Sequence, residues 1–426
     1  MIRRPPRSTL DRSSAASDVY KRQGLDSCVT THWLKSKGFT VHCYTVDLGQ
    51  PDEDLDLVKI RMEQCGADEA VIIPGSDVLA DAGIKLLQAQ SRYEGGYWNT
   101  TGIARPITVK QMIPYLKKNK IGAFFHGATG RGNDQVRFQL AMNVLAPEVL
   151  VYAPWRDSEF LEQFPGRNEM LKYCEENNLP IKSKVESRYS TDANLLGLTH
   201  EGGDIEDVEQ SPYFIDPVMG VWPWDAPSES ENISVVWDKG VPVSINGSKM
   251  GIESIFKESN QIAGRHGVGI GTHVIENRYV GVKSRGIYES PGMEMLGQIY
   301  EYLLQFVLDR RSRNLFNNIS QILGSQIYDG YWFDLATTSI LQALKPINQV
   351  CSGEISVRLY KGKVLFDNAK DIAQSLYSND SSMESVGDYN HADAEGFLNI
   401  LGVSAKHYGV QQLGLLNEFR DDQIIS

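Results

Sequence analysis

At 426 residues the chain is long enough for two domains and a sizeable core. Its hydrophobic content of 41% and charged content of 23% are those of an ordinary globular protein rather than a disordered one. A net charge of -12 and a pI near 5.2 argue against a general nucleic-acid or membrane-surface binder, yet allow a local basic pocket. Five cysteines (Cys28, Cys43, Cys65, Cys174 and Cys351) lie far apart with no C-x-x-C pair. That set suits reduced thiols and argues against a zinc site or a disulfide framework. No run approaches the ~18 to 20 apolar residues of a membrane span. The expected location is cytoplasmic, with no nucleic-acid or membrane partner and no metal ligand set in the protein.

Residues 1–23, MIRRPPRSTLDRSSAASDVYKRQ, stand apart from the rest of the chain. They carry Arg, Ser and Pro without an apolar period and without the apolar core of a signal peptide. They read as a foreign or mis-joined leader, expected to be disordered and to contain no strand.

From Gly24 the pattern alternates helix and strand. Helices are expected at 26–37 (closed by Gly38), 52–65, 77–89, 108–119, 135–144 and 168–178. Strands are expected at 39–46, 70–73, 121–125 and 149–152, where β-branched and aromatic residues cluster. This βαβα order predicts a doubly wound parallel sheet, with ligands bound beyond the carboxyl ends of its strands. Near Lys184 the pattern changes and a domain boundary is expected. Hairpins are read at 233–246 and 355–368, with helices at 254–262, 293–311, 313–328 and 333–344, giving an α+β second half. Residues 377–384 read as a loop. Past Asp388 the tail looks too polar and short to fold alone, and is expected to pack on a neighbouring subunit.

Several stretches carry chemistry. His126-Gly127-Ala128-Thr129-Gly130-Arg131-Gly132-Asn133-Asp134 follows an apolar strand and opens a helix. Its glycines let backbone N–H groups approach an anion, while Thr129, Asn133, Asp134 and Arg137 bring four polar types to one strand end. A plain capped turn is the simpler reading of the same residues. Gly24-Leu25-Asp26-Ser27 also begins a helix, as a phosphate-holding end or an ordinary cap. In Tyr97-Trp98-Asn99-Thr100-Thr101-Gly102-Ile103-Ala104-Arg105-Pro106, read as a linker, Tyr97 and Thr101 offer hydroxyls. Arg105 there is either a fork for a carboxylate or a structural salt bridge. The block from Arg188 to Glu201 contributes Ser190, Asp192, Thr199 and Glu201 to a cleft, or else a capped helix start. Arg265 to Glu289 is densely charged. It reads as a solvated loop, or as a source of Glu276 and Tyr288 for a cationic amino group. No Ser-His-Asp or Cys-His spacing points to hydrolysis.

Together HGATGRGNDQVRF, YWNTTGIARP, YSTDANLLGLTHE, GRHGVG, IENRYVGVKSRGIYESPGM and GDYNHADAEGF closely resemble argininosuccinate synthases of the longer bacterial type, over residues 24–402. The resemblance implies an adenine nucleotide alpha hydrolase-like (pyrophosphate-loop) domain at 24–184. An α+β synthetase domain would follow at 185–387, then a C-terminal oligomerisation arm at 388–426 in a homotetramer. It implies an arginine-biosynthesis (urea-cycle) ligase that joins citrulline to aspartate with ATP and Mg²⁺ through citrullyl-AMP. On the nucleotide side it implies Gly24, Asp26, Ser27, Val46, Gly127, Thr129, Asp134 and Asp192. For aspartate it implies Thr101, Thr129, Asn133 and Asp134. For citrulline it implies Tyr97, Asn133, Arg137, Ser190, Thr199, Glu201 and Glu276, with Tyr288 nearby. Asp134 and Arg137 would be catalytic.

The chain departs from the family at its front. There S-G-G-L-D-[ST]-[ST] follows a strand, whereas here Arg22 and Gln23 stand where Ser and the first Gly belong. Charge-assisted hydrogen bonds are worth ~1.5 to 3 kcal/mol each. Losing two or three would cost ~5 kcal/mol, about a thousandfold or more in ATP affinity. The expectation is a chain impaired in nucleotide binding. The alternatives are an inactive ligand-binding remnant and another pyrophosphate-loop adenylating enzyme.

Overall fold

The computed structural model describes residues 24–51, 54–94, 96–128, 132–180, 188–378 and 390–411, isolated positions between 379 and 390, and the backbone of 15–18. These residues fall into two compact units that divide after Gln374. The first begins with a five-stranded parallel sheet built from β1 (Ala15–Asp18), β2 (Val41–Asp47), β3 (Glu69–Pro74), β4 (Ala123–His126) and β5 (Leu150–Tyr152). Their order is β3-β2-β1-β4-β5, and every pairing is parallel.

The order corrects the expectation of a strandless leader. β1 stands at the sheet's centre, with Ala15 opposite both Val41 and Ala123. Neighbouring strands lie only about 5 Å apart. Without β1 the inner edges of β2 and β4 would therefore face each other across a gap no hydrogen bond spans. Main-chain pairing, rather than any apolar alternation, defines this strand, which is why composition gave no sign of it.

Seven helices accompany this sheet: α1 (Leu25–Ser36), α2 (Leu55–Gln64), α3 (Ser76–Ala89), α4 (Thr100–Lys118), α5 (Asp134–Leu145), α6 (Ser158–Gln163) and α7 (Arg167–Glu176). Strand alternation sends side chains to opposite faces. Val41, Cys43 and Phe125 join one apolar cluster with α1 and α7, while Tyr44, Val46 and Phe124 join the other with α3, α4 and α5. Asp54 starts α2 by accepting from the Leu57 N–H, and Asp157 does the same for Glu159 at α6. Helix α4 begins at Thr100 rather than at the expected 108, because the stretch read as a linker is helical. Pro106 lies inside it, and the phenol oxygen of Tyr97 accepts from the Thr101 and Gly102 N–H groups at its start. Helix α4 is buried through most of its first half, so packing overrides the breaker signal of Gly102 and Pro106.

Past the sheet, β6 (Ser190–Asn194), β7 (Gly197–Glu201), β8 (Glu231–Asp238), β9 (Val241–Ile245), β10 (Ser248–Lys249), β11 (Ile270–Asn277), β12 (Lys283–Glu289), β13 (Gly353–Tyr360) and β14 (Lys363–Lys370) form two antiparallel sheets. Their orders are β10-β9-β8-β13-β14 and β11-β12-β7-β6. Helices α8 (Ile252–Arg265), α9 (Pro291–Val307), α10 (Arg310–Tyr328) and α11 (Leu335–Gln349) lie between them in sequence. The hairpins read at 233–246 and 355–368 are present as β8–β9 and β13–β14. The strands β6, β7, β11 and β12 replace the helix start and solvated loop that were the simpler readings of those blocks. Among the described residues no helix is long and apolar enough to cross a membrane. The second unit contains α12 (Ala392–Val410), which has no buried residue and exposes Phe397, Leu398, Ile400, Leu401 and Val410.

Candidate active site

An open cleft lies where the carboxyl ends of the parallel strands meet one face of the β11-β12-β7-β6 sheet. On the parallel-sheet side, Gly24 is the cap of α1 at φ +71°, a left-handed conformation glycine adopts without a Cβ clash. Asp26 and Ser27 in the first turn line the cleft. A Cβ placed on Gly127 would come within 3.4 Å of the Asp26 Cβ, so the end of β4 faces the start of α1. His126, the last residue of β4, is fully buried and its Nδ1 accepts from the Ala128 N–H at 3.2 Å. Burial, reinforced by Arg156, pushes this imidazole down to about 4. It therefore works as a neutral ring that shapes the turn leading to the glycine-rich loop. Thr129, with Gly130 and Arg131, lies outside the described residues.

Helix α5 opens with a network of charges. Asp134 accepts from Arg105 and from Arg137, both at 2.8 Å, and Arg105 Nη2 also donates to Asp192 at 2.6 Å. Burial alone would raise the Asp134 carboxyl, but Arg105 and then Arg137 hold it down to about 2. It is ionised at any physiological pH and accepts hydrogen bonds without giving up a proton. Arg105 is 2% exposed, so of its two readings the structural ion pair describes it. It fastens α4 and α5 to β6, between the two sides of the cleft. Arg137 spends two more donors on the Tyr328 carbonyl, at 2.9 and 2.7 Å. The Asn133 amide donates to the Asn277 carbonyl and the Tyr328 hydroxyl, and its oxygen accepts from the Tyr279 N–H. Asn133 thus braces the β11–β12 hairpin as well as lining the cleft.

The antiparallel side is set by register. Asp192 lies opposite Thr199, Ser190 opposite Glu201, Tyr288 opposite Thr199, and Ser284 opposite Glu276. Paired residues and those two apart on a strand share a face, so this one face carries the whole set. Below it, Tyr97 stacks on Tyr288 with centroids 3.9 Å apart, and Tyr93 stacks on Tyr328 at 3.6 Å. The Tyr328 hydroxyl donates to Glu276 at 2.6 Å, and the Thr101 and Thr199 hydroxyls meet at 2.8 Å. Burial raises the Glu276 carboxyl above its usual range, with the Tyr328 hydrogen bond and Arg137 opposing it and Glu201 adding repulsion. Two such carboxylates over an aromatic floor stabilise an arriving ammonium group.

Of the residues nominated from sequence, the structure brings Asp26, Ser27, Tyr97, Thr101, Gly127, Asn133, Asp134, Arg137, Asp192, Thr199, Glu201, Glu276 and Tyr288 to the cleft wall. It leaves three others off that wall. Val46 points into the apolar core against α3 and α4, because its position in β2 has the parity of Tyr44. Gly24 caps α1 behind the lining residues. Ser190 shares the sheet face but sits beyond the cleft's rim. Ala128, Gly132, Arg278 and Ser284 line the cleft without having been nominated. For Arg278 and Ser284 the available signal was alternation with Glu276 across a hairpin, which the charged composition of that block hid.

Comparison with known proteins agrees with this architecture. The Arginosuccinate synthase N-terminal HUP domain matches residues 20–180, and the Arginosuccinate synthase C-terminal domain matches residues 189–408. The chain is 36% identical over 389 residues to an argininosuccinate synthase of Rhodopirellula baltica, covering 91% of this chain and 96% of that one. It is 34% identical over 394 residues to one from Lachnospira eligens, covering 92% and 95%. It is also 36% identical over 386 residues to a chloroplastic argininosuccinate synthase of Arabidopsis thaliana, covering 90% and 77%. Both halves match, which disfavours an unrelated pyrophosphate-loop enzyme. The chain belongs to the argininosuccinate synthase family of ATP-dependent ligases.

Proposed function

We propose that the cleft condenses citrulline with aspartate, using ATP to activate citrulline as citrullyl-AMP. The observation that carries this reading is the meeting of two unlike walls. A helix N-terminus and a glycine-rich strand end suit phosphates, and they face a sheet of carboxylates and hydroxyls that suits amino-acid head groups. In the first step the ureido oxygen of citrulline bonds to the α-phosphorus and pyrophosphate leaves. In the second, the aspartate amine bonds to the activated carbon and AMP leaves. The N–H groups at the start of α1 would receive the phosphates, and Glu201 and Glu276 would receive citrulline's ammonium. Thr101, with Thr129 in the glycine-rich loop, would face aspartate. Asp134, ionised and held between two guanidinium groups, supports these bonds by fixing Arg137 rather than by moving a proton.

Mg²⁺ would accompany the nucleotide, since it commonly binds through phosphates, waters and one or two carboxylates. Asp26 at the start of α1 is the carboxylate best placed for that. Among the described residues no group of three or more His, Cys, Asp or Glu forms a protein cage for a metal. Arg22 and Gln23 lie outside the described residues. Their replacement of Ser and Gly is the ground for a weakened nucleotide site. The exposed apolar residues of α12 support assembly through the C-terminal arm, as in a homotetramer.

The test is release of AMP and pyrophosphate that requires ATP, citrulline and aspartate together. It should be run on this chain and on one carrying Arg22→Ser with Gln23→Gly. The double substitution is expected to improve ATP use by about a thousandfold. If neither chain makes AMP in a citrulline-dependent way, the reading is wrong.

A further inference from the structure

The cleft is lined by five carboxylates (Asp26, Asp134, Asp192, Glu201 and Glu276) and, among the described residues, by two guanidinium groups, Arg137 and Arg278. Arg137 spends three of its five donors on the Tyr328 carbonyl and on Asp134. Arg278 differs. Its guanidinium makes no hydrogen bond or ion pair with any described residue, although the backbone around it is held on every side. The Asn277 amide donates to the Tyr93 hydroxyl at 2.6 Å and to Glu94 at 3.0 Å. The Asn277 carbonyl accepts from Asn133. On the other flank, Tyr279 donates from its N–H to Asn133 and from its hydroxyl to the Asp329 carbonyl at 2.7 Å. Arg278 N–H itself closes the hairpin on the Val282 carbonyl at 2.9 Å. A fork on a fixed mount, lining a cleft rich in negative charge and with no donor spent on a described residue, is arranged for an anionic ligand group.

Its neighbours say which group. Glu276 lies two residues before Arg278, which follows the last residue of β11, both line the cleft, and Ser284 lies directly opposite Glu276. The hairpin thus brings an ammonium acceptor, a guanidinium and a hydroxyl to the same cleft. We propose that Arg278, with Ser284 beside it, binds the α-carboxylate of citrulline while Glu276 holds the α-ammonium, so that the β11–β12 hairpin reads the zwitterion. This rests on citrulline being the substrate. It also makes the hairpin the element that separates citrulline from ureido compounds lacking a carboxylate.

Calorimetry measures this without requiring turnover. Citrulline and N-carbamoylputrescine, which keeps the ureido and ammonium groups and lacks the carboxylate, are titrated into the full chain and into Arg278→Ala, Arg278→Lys and Ser284→Ala. Arg278→Ala is expected to weaken citrulline by about 10- to 100-fold and to leave carbamoylputrescine within twofold. Arg278→Lys should recover part of the loss, since it keeps the charge and loses the fork, and Ser284→Ala should cost several-fold. Equal weakening of both ligands, or of neither, would overturn the proposal, as would a loss of aspartate affinity in place of citrulline affinity. A parent chain that binds carbamoylputrescine as tightly as citrulline would overturn it too. A parent chain that binds neither would overturn the citrulline reading itself. Unchanged melting of Arg278→Lys keeps the result free of folding effects.

Discussion

On the parallel-sheet wall, the groups that line the cleft sit where elements begin or end: Asp26 and Ser27 in the first turn of α1, Gly127 and Ala128 just past β4, Asn133 and Asp134 at the start of α5. On the antiparallel wall they sit within or at the ends of strands, at positions fixed by pairing: Thr199, Glu201, Tyr288, Ser284 and Glu276. The first wall presents main-chain N–H groups and helix ends, which bind anions whatever the neighbouring side chains are. The second presents chosen side chains, and a slip of one residue would turn every one of them away. A cleft made this way divides its labour. On the proposed function, phosphate handling would fall to backbone shape and substrate choice to sheet register.

Arg105 joins the walls, and its removal should have the largest effect. Arg105→Met leaves Asp134 and Asp192 as poorly compensated charges beside a buried, now uncharged side chain. Breaking such a buried network by taking one partner costs about 3 to 5 kcal/mol. A urea titration of the variant should lose that much stability, and activity should vanish with it. A midpoint unchanged from the parent would mean that the walls hold together without this ion pair.

The next effect belongs to the parallel wall alone. His126 sits at about 4 in the fold, against about 6.5 for an unhindered imidazole. The unfolded chain therefore takes up a proton that the folded chain refuses between those values. This contribution is complete above pH 6.5 and is lost as the pH falls towards 4, by roughly 3 kcal/mol. Urea midpoints at pH 4.5 and 7.5 should differ markedly for the parent and much less for His126→Gln. A parallel decline in both would place the acid sensitivity elsewhere.

Gly24→Ala is the smallest test. The left-handed φ costs a side chain about 1 to 2 kcal/mol, and its Cβ would also press on the Arg61 guanidinium at 3.0 Å, a flexible end that can yield. ATP affinity should fall by about tenfold, while citrulline affinity should hold. A matching loss of citrulline affinity would show that the two walls are less independent than their construction suggests.

How far the sequence could be read reflects the same division. The glycine-rich stretch and the opening of α1 are contiguous, so local chemistry announces them. The helices between 252 and 349 were legible for a similar reason, since each buries an apolar stripe. The antiparallel wall was harder. Its residues come from four strands whose inward faces are polar, so the alternation that normally marks a half-buried strand is disguised by the site. The resemblance supplied Glu276 and Tyr288, but nothing local distinguished Arg278 from a solvated charge. Asn133 and Arg137 were nominated correctly for the cleft, yet their bonds to Tyr328, Tyr279 and Asn277 join partners over 100 residues away, which no local pattern conveys. Val46 turns its side chain inward because of its parity along β2.

The strand β1 has a consequence for how the molecule is assembled. It precedes both its partners in the chain and is central in the sheet, with β2 soon after it and β4 roughly 100 residues further along. During synthesis, the segment that must become the middle of the sheet emerges before its partners and has to keep one edge open until β4 arrives. Such an ordering favours a late, all-or-none closure of this half over stepwise growth from one edge. A chaperone that shields an unpaired strand, or a proteinase that cuts one, would act in that interval, before the cleft exists at all.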